Sequence, residues 1–376
     1  MAVDIPSKLS TYLGRIGDLY YYDSASQALK DVLVWLNNTH PKQQPNVVMP
    51  TYESSSLYKT TLASGYVPKF YEIYDGCRFD LEEIKNLIDE NTRAILVIHY
   101  FGQPADILPL RQLADRTGKY LIEDCALSLA GSVNGIPLGA IGDCSIFSAR
   151  KMLTLPNGGI LVMSSKNETF KPKYEGRAKS TSSLLYLLLS RLKYVYFMLT
   201  GSADPLHIAK LPKSGHIDPK AKQVLEVKEM SRLSRFWLDR IHLRKQVLKR
   251  RKNYLRLLEA IKEFPFVKPL RNDPPQDWTP YTLPIRVSSG DRDAVRARLL
   301  EHGVACGCGW PESPYDPKHK RARELAGEIL ELPVHPLMTL RQLNSIPLAL
   351  RDFYSDQAEG AKRGSNHHEH SDVRGN

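Results

Sequence analysis

Apolar positions recur along the first part of the chain in two alternating styles. Between Ser26 and Leu36, the residues Ala28, Leu29, Val32, Leu33 and Leu36 share one face at helical spacing. Asn46 to Met49 is a short apolar run stopped by Pro50 and reads as a strand. Asp80, with Glu83 three residues on, predicts a capping-box start for a helix over Leu81 to Ile88. Ala94 to His99 (AILVIH) is uninterrupted, as a strand buried on both faces of a parallel sheet is. Leu108 to Arg116 reads as a helix closed by Gly118, and Tyr120 to Ile122 as the next buried strand, ending in Glu123 and Asp124. Ile160 to Met163 is another strand, just past Gly158 and Gly159. Strands separated by helices of this length predict a parallel α/β sheet covered on both faces.

The pattern weakens after Lys166. Leu184 to Leu199 is strongly apolar, but Arg191 and Lys193 lie in its middle. A spanning helix needs about twenty apolar residues without central charge, so a buried or partner-facing helix is expected instead. Ser202 to Lys222 reads as an exposed connection. Arg232 to Lys252 carries nine Lys or Arg residues interleaved with Leu233, Phe236, Trp237, Ile241, Leu243 and Val247. That spacing predicts one long helix, running on to Ile261, with a solvated basic face and an apolar inner face. Beyond Pro265, Thr282 to Val287 and Ile329 to Val334 read as extended, while Arg292 to His302 and Leu340 to Leu350 read as helices. The expected organisation is a large domain over 1–245, a small α+β domain over 246–355, and a disordered polar tail over 356–376.

Composition narrows the function classes. The chain has 376 residues, 42% of them hydrophobic, which suits a folded protein. Its formal charge of +11 comes without a nucleic-acid recognition motif, so no nucleic-acid partner is expected; an anionic small substrate would profit from the same field. Among five cysteines, only Cys306 and Cys308 are close in sequence, and no second pair or His cluster accompanies them. No metal site is therefore expected. The opening MAVDIPSKLS lacks a basic start and an apolar run, which predicts a cytoplasmic protein. No Gly-x-Gly-x-x-Gly follows the first strand, which disfavours a nicotinamide dehydrogenase.

In open parallel sheets, ligands bind at the carboxyl ends of the strands. Four groups of residues gather there. Asp124 follows a buried strand; Ser24, Ala25 and Ser26 open the first helix; Ser148 and Lys151 lie in a loop before the Ile160 strand; His99, Tyr100 and Gly102 end the central strand. Singly, each is unremarkable: a helix cap, a surface acid, a solvated lysine. Together they meet the three demands of pyridoxal phosphate, namely a lysine amine for a Schiff base, an acid at the pyridine nitrogen, and donors at a helix N-terminus for the phosphate.

These segments resemble the DegT/DnrJ/StrS family of aminotransferases, which act on nucleotide-linked keto sugars. The resemblance runs from about Tyr20 to Phe353. It is carried by Ser24-Ala25-Ser26-Gln27-Ala28-Leu29, by residues 47–73, by His99 to Asp106, and by Ile122-Glu123-Asp124-Cys125-Ala126. Gly142-Asp143, Phe147-Ser148, Lys151, Gly158-Gly159, Arg250 to Tyr254 and Leu332 to Pro336 continue it. The family implies an aspartate-aminotransferase-like large domain (pyridoxal-phosphate fold type I) with a small C-terminal domain, assembled as a homodimer. It also implies roles: Lys151 as Schiff-base residue and proton shuttle, Asp124 at the pyridine nitrogen, and Ser24, Ala25, Ser26 and Ser148 at the phosphate. The partners implied are a nucleotide-sugar substrate and an amino-acid donor, without membrane contact. Leu127 and Leu129 stand where the family has Gln and His, and Ser54 where it has a ring-stacking aromatic, for which Tyr52 is the expected substitute. Two residues are missing between Ser148 and Lys151, and Pro156-Asn157 replaces Gly-Glu. The alternative implied by these departures is a degenerate regulatory or scaffold protein that binds the cofactor without turnover.

Overall fold

The computed structural model describes residues 5–39, 41–153, 155–167, 169–179, 226–275, 277–287, 291–313 and 318–369. The apolar segment 184–199 and the connection 202–222 lie outside them. After α1 (Leu9–Leu13) and β1 (Asp18–Tyr22), the chain alternates as its pattern requires. It runs through α2 (Ala25–Thr39), β2 (Asn46–Pro50), α3 (Ser55–Ala63), β3 (Val67–Tyr71), α4 (Leu81–Leu87), β4 (Thr92–Ile98), α5 (Leu108–Thr117) and β5 (Tyr120–Cys125). A short hairpin, β6 (Ser132–Val133) and β7 (Ile136–Pro137), leads to β8 (Cys144–Ser148), α6 (Ala149–Leu153) and β9 (Gly159–Met163).

With β10 (Gly176–Arg177) and β11 (Lys228–Glu229), these strands form one nine-stranded sheet of order β10-β11-β1-β9-β8-β5-β4-β2-β3. Strands β8, β5, β4, β2 and β3 are parallel neighbours; β9 runs against both β8 and β1. Alternate residues of β9 feed two separate cores, Leu161 and Met163 on one face and Ile160 and Val162 on the other. That is the doubly covered sheet expected from the apolar runs.

Helices α7 (Arg232–Leu238) and α8 (Leu243–Ala260) follow. A second sheet is antiparallel: β12 (Val267–Pro269), β13 (Thr282–Val287) and β14 (Ile329–Pro333). It packs with the second half of α8, with α9 (Arg292–Glu301) and with the start of α11 (Leu340–Glu369) around a core running from Tyr254 to Phe353. Between α9 and β14, α10 (Lys320–Glu328) turns Ala322, Leu325 and Ala326 into the core of the large sheet.

Three expectations change. Arg232 to Lys252 is two helices rather than one. The break is held onto α1 by the Ser10 hydroxyl donating to Asp239 at 2.7 Å and the Leu243 N–H donating to the Ser7 carbonyl at 2.7 Å. Its faces differ too: Phe236 is 50% exposed and Trp237 39%, whereas Arg250 is 1% exposed. Asp80 caps α4 through the Glu82 N–H at 2.9 Å, but Glu83 does not close the box, because its carboxylate accepts from the Glu72 N–H at 2.9 Å. Finally, α11 continues to Glu369, past the point where a disordered tail was expected. Ala, Glu, Gln, Lys and Arg dominate 357–363, and such residues carry a helix onward once it has begun.

Candidate active site

Alternation along β5 sends its two acids to opposite faces. Glu123 is fully buried and accepts four bonds: from His99 Nε2 at 3.1 Å, from the backbone N–H of Gly139 at 2.9 Å and Ile141 at 2.8 Å, and from that of Gly142. The Ala105 N–H donates to His99 Nδ1 at 3.1 Å, which leaves the ring proton on Nε2. Cys125 brings its sulfur within 4.8 Å of these groups, yet every lone-pair direction of the carboxylate is already used, so the trio is a brace and not a metal site.

Asp124 faces the other way, into a cleft of about 600 Å³ at the carboxyl edge of the sheet. Its Oδ1 accepts from the Ala126 N–H at 2.8 Å. Burial raises the Asp124 pKa above the ordinary carboxylate value, while that backbone bond and the nearby Lys151 charge hold it back. Lys151 lines the same cleft from α6, a short helix rather than the loop expected. Burial lowers its pKa below that of a solvated lysine, against the pull of Asp124 and of Glu331 on β14. Glu331 is fixed in turn by the Thr282 hydroxyl at 2.9 Å and the Gly309 N–H at 3.0 Å. A lowered amine pKa is the direction that nucleophilic and proton-transfer chemistry needs.

The third wall is the start of α2. Ser24, Ala25 and Ser26 line the cleft, with Ser148 beside them at the end of β8. Gly159 makes this arrangement possible: a Cβ there would overlap the Ser24 carbonyl and lie 2.5 Å from the Ala25 nitrogen. The Gly158 N–H donates to the Asp23 carbonyl at 2.8 Å, and the Arg150 N–H to the Gly158 carbonyl at 3.2 Å. Thus the lysine helix, the 158–159 turn and the mouth of α2 are one hydrogen-bonded unit.

Six of the seven residues expected at the site therefore share one cleft. Tyr52 does not. It is fully buried, parallel to Tyr100 at 5.7 Å and edge-on to Trp310 at 4.9 Å, so it cannot replace the missing aromatic. Ser54 and Ser56 line the cleft where that aromatic was expected. Leu127 and Leu129 are buried and lie outside the lining. Sequence reasoning also missed Arg150, which lines the cleft next to Lys151, and Asn157. The Asn157 side-chain amide donates to the Asp23 carboxylate at 2.7 Å, while its oxygen accepts from Ser231 at 3.0 Å.

Residues 7–174 match the family model for DegT/DnrJ/EryC1/StrS aminotransferases. GDP-perosamine synthase from Vibrio cholerae is 37% identical over 126 residues, 33% of this chain and 34% of that protein. The chain thus matches about a third of that relative's length. PseC from Helicobacter pylori, an aminotransferase involved in the biosynthesis of pseudoaminic acid, has a TM-score of 0.67 at 17% identity, over 93% of this chain and 89% of that one. Spr1654 from Streptococcus pneumoniae, solved in its PLP form, has a TM-score of 0.66 at 16% identity, over 93% and 91%. These likenesses show the shared α/β fold, the aspartate-aminotransferase-like architecture expected above. The stretch that matches the DegT/DnrJ/EryC1/StrS aminotransferase model, residues 7–174, is the one that carries Ser24 to Ser26, Asp124, Ser148 and Lys151.

Proposed function

We propose that this chain is a pyridoxal-phosphate-dependent aminotransferase that converts a nucleotide-linked keto sugar into an amino sugar. One observation carries the reading: an amine, an acid and a helix N-terminus, drawn from three separate elements, line a single cleft. The donor set fits the cofactor, since the cleft holds one group for each of its three polar ends. Pyridoxal phosphate, when bound, supplies an aldehyde that takes up the amino group and a ring that absorbs negative charge.

The residues divide the remaining work. Asp124 keeps a carboxylate where the ring nitrogen is to be held and favours its protonated form. Ser24 to Ser26 and Ser148 orient the phosphate through hydroxyls and helix N–H groups. Lys151 accepts a proton at Nζ from the reacting carbon and returns it, which its lowered pKa permits. Leu29, Leu57 and Ile146 supply apolar wall and keep water from the cleft floor. The names of relatives such as GDP-perosamine synthase support a sugar as acceptor, and the retained Lys151 and Asp124 support turnover over a scaffold role.

The same reading includes a homodimer, a large unit over 1–245, a small unit over 246–355, and a cytoplasmic site of action. The exposed pair Phe236 and Trp237, the separate small core and the five free cysteines support these points in turn. Among the described residues, no helix is long and apolar enough to cross a membrane. The deciding experiment is the visible spectrum of the purified chain with added pyridoxal phosphate, beside Lys151→Ala. We expect a yellow band in the native protein alone, bleached by an amino donor. A band that survives in Lys151→Ala, or none in either protein, sinks the reading.

A further inference from the structure

The phosphate wall of the cleft contains a cation besides the lysine. Ser24, Ala25, Ser26 and Ser148 are all neutral, and a phosphate dianion held by them alone would keep most of its charge. The partial positive end of α2 offsets about half a unit. Among the described residues, two cations line the cleft, Lys151 and Arg150. Lys151 has to reach the aldehyde and is not available to the phosphate. Arg150 is exposed, and its guanidinium has no hydrogen-bond or ion-pair partner among the described residues.

Backbone geometry fixes where Arg150 can reach. Its N–H is tied to the Gly158 carbonyl, Gly158 is tied to Asp23, and Gly159 lies directly against the Ser24–Ala25 peptide. Arg150 therefore sits one short turn from the N–H groups that open α2. The chain is two residues shorter between Ser148 and Lys151 than the resemblance leads one to expect, and that shortening brings an arginine next to the lysine. We propose that Arg150 is the charge-neutralising ligand of the phosphate, closing the cradle formed by Ser24 to Ser26 and Ser148. This rests on the pyridoxal-phosphate reading of the cleft and adds a residue to it.

The test is a double comparison on the full-length apo protein. Wild type, Arg150→Gln and Arg150→Lys are each titrated with pyridoxal phosphate and with pyridoxal, which lacks the phosphate. A charge-assisted bond at an exposed position predicts that Arg150→Gln weakens pyridoxal phosphate by roughly tenfold or more and leaves pyridoxal unchanged. Arg150→Lys should recover part of the loss, and the difference should shrink as salt is raised. Equal affinities for pyridoxal phosphate in wild type and Arg150→Gln would overturn the proposal. So would an equal loss for both ligands, since Arg150 would then only support α6. Inorganic phosphate, followed by calorimetry, separates this proposal from the reading beneath it. If wild type takes up neither pyridoxal ligand, the aminotransferase reading falls, and the phosphate titration alone decides Arg150: about tenfold weaker binding in Arg150→Gln sustains it, equal binding or none refutes it.

Discussion

Asn157 and Asp23, 134 positions apart, are joined by a 2.7 Å bond from the side-chain amide to the carboxylate. Asp23 also accepts from Gln27 at 3.5 Å, so it anchors the first turn of α2, while Asn157 is steadied from behind by Ser231. The Pro156-Asn157 departure is thus a latch between the lysine loop and the phosphate end of the cleft. Removing it in Asn157→Ala strands a half-buried carboxylate. We expect a loss of about 2 kcal/mol in unfolding free energy and weaker uptake of pyridoxal phosphate, with Asn157→Gln intermediate. Urea titration and cofactor titration on the same preparations check both.

Arg250 is a fully buried cation with no acidic partner in contact among the described residues. It donates to three carbonyls instead: Met152 at 2.9 Å, Tyr281 at 3.0 Å and Pro280 at 3.4 Å. Burial lowers its pKa to about 10, which still leaves it charged at neutral pH. It therefore clamps the lysine helix α6 to α8 and to the start of β13. Arg250→Met fits the volume but abandons those carbonyls, and we expect a cost of about 2–4 kcal/mol. Lys151 should also become accessible to amine reagents in the apo protein, which a purely global loss of stability would not produce at low temperature.

What could be read beforehand, and what could not, follows from how far the deciding contacts reach. Buried parallel strands must be apolar on both faces, so β4, β5 and β9 stand out as uninterrupted runs, and Asp124 is located by the end of its own strand. The helical period of α2 likewise points back to Ser24 to Ser26. Positions decided by distant partners were opaque. The α7–α8 break depends on Ser7 and Ser10, more than 220 residues away. Tyr52 turns inward because Tyr100 and Trp310 make an aromatic pocket for it. Arg250 looked like one more solvated charge because helical spacing records which face a residue is on, not which carbonyls wait there.

Lys151 and Asp124 should titrate as each other's environment. Burial lowers the lysine, and the Asp124 and Glu331 carboxylates oppose this by favouring the ammonium. Deleting either negative charge must therefore lower the lysine further. The initial rate of pyridoxal phosphate capture by the apo protein follows the free amine, so its midpoint should fall below the ordinary lysine value of about 10.4. In Asp124→Asn and in Glu331→Gln that midpoint should move to still lower pH. A shift to higher pH in either variant would mean that the carboxylates do not face the amine.

Glu53 offers the sharpest test of pH dependence. It is 0% exposed, and neither carboxylate oxygen has a hydrogen-bond partner among the described residues. Desolvation, with a smaller push from Asp124, raises its pKa well above 4.5; Tyr71 and Tyr100 lie in the same field. The folded chain thus holds a proton that the unfolded chain has already released. A group raised on folding contributes its full stability below the unfolded value, and that contribution is lost as pH rises through the folded value. From about pH 5 upward, wild type should lose roughly 1.4 kcal/mol per pH unit from this residue until Glu53 ionises. Glu53→Gln keeps the shape without the proton, so its melting temperature should fall less steeply over the same range and exceed that of wild type near pH 8. Parallel melting curves for the two apo proteins from pH 5 to 8 would mean that Glu53 is solvated or paired.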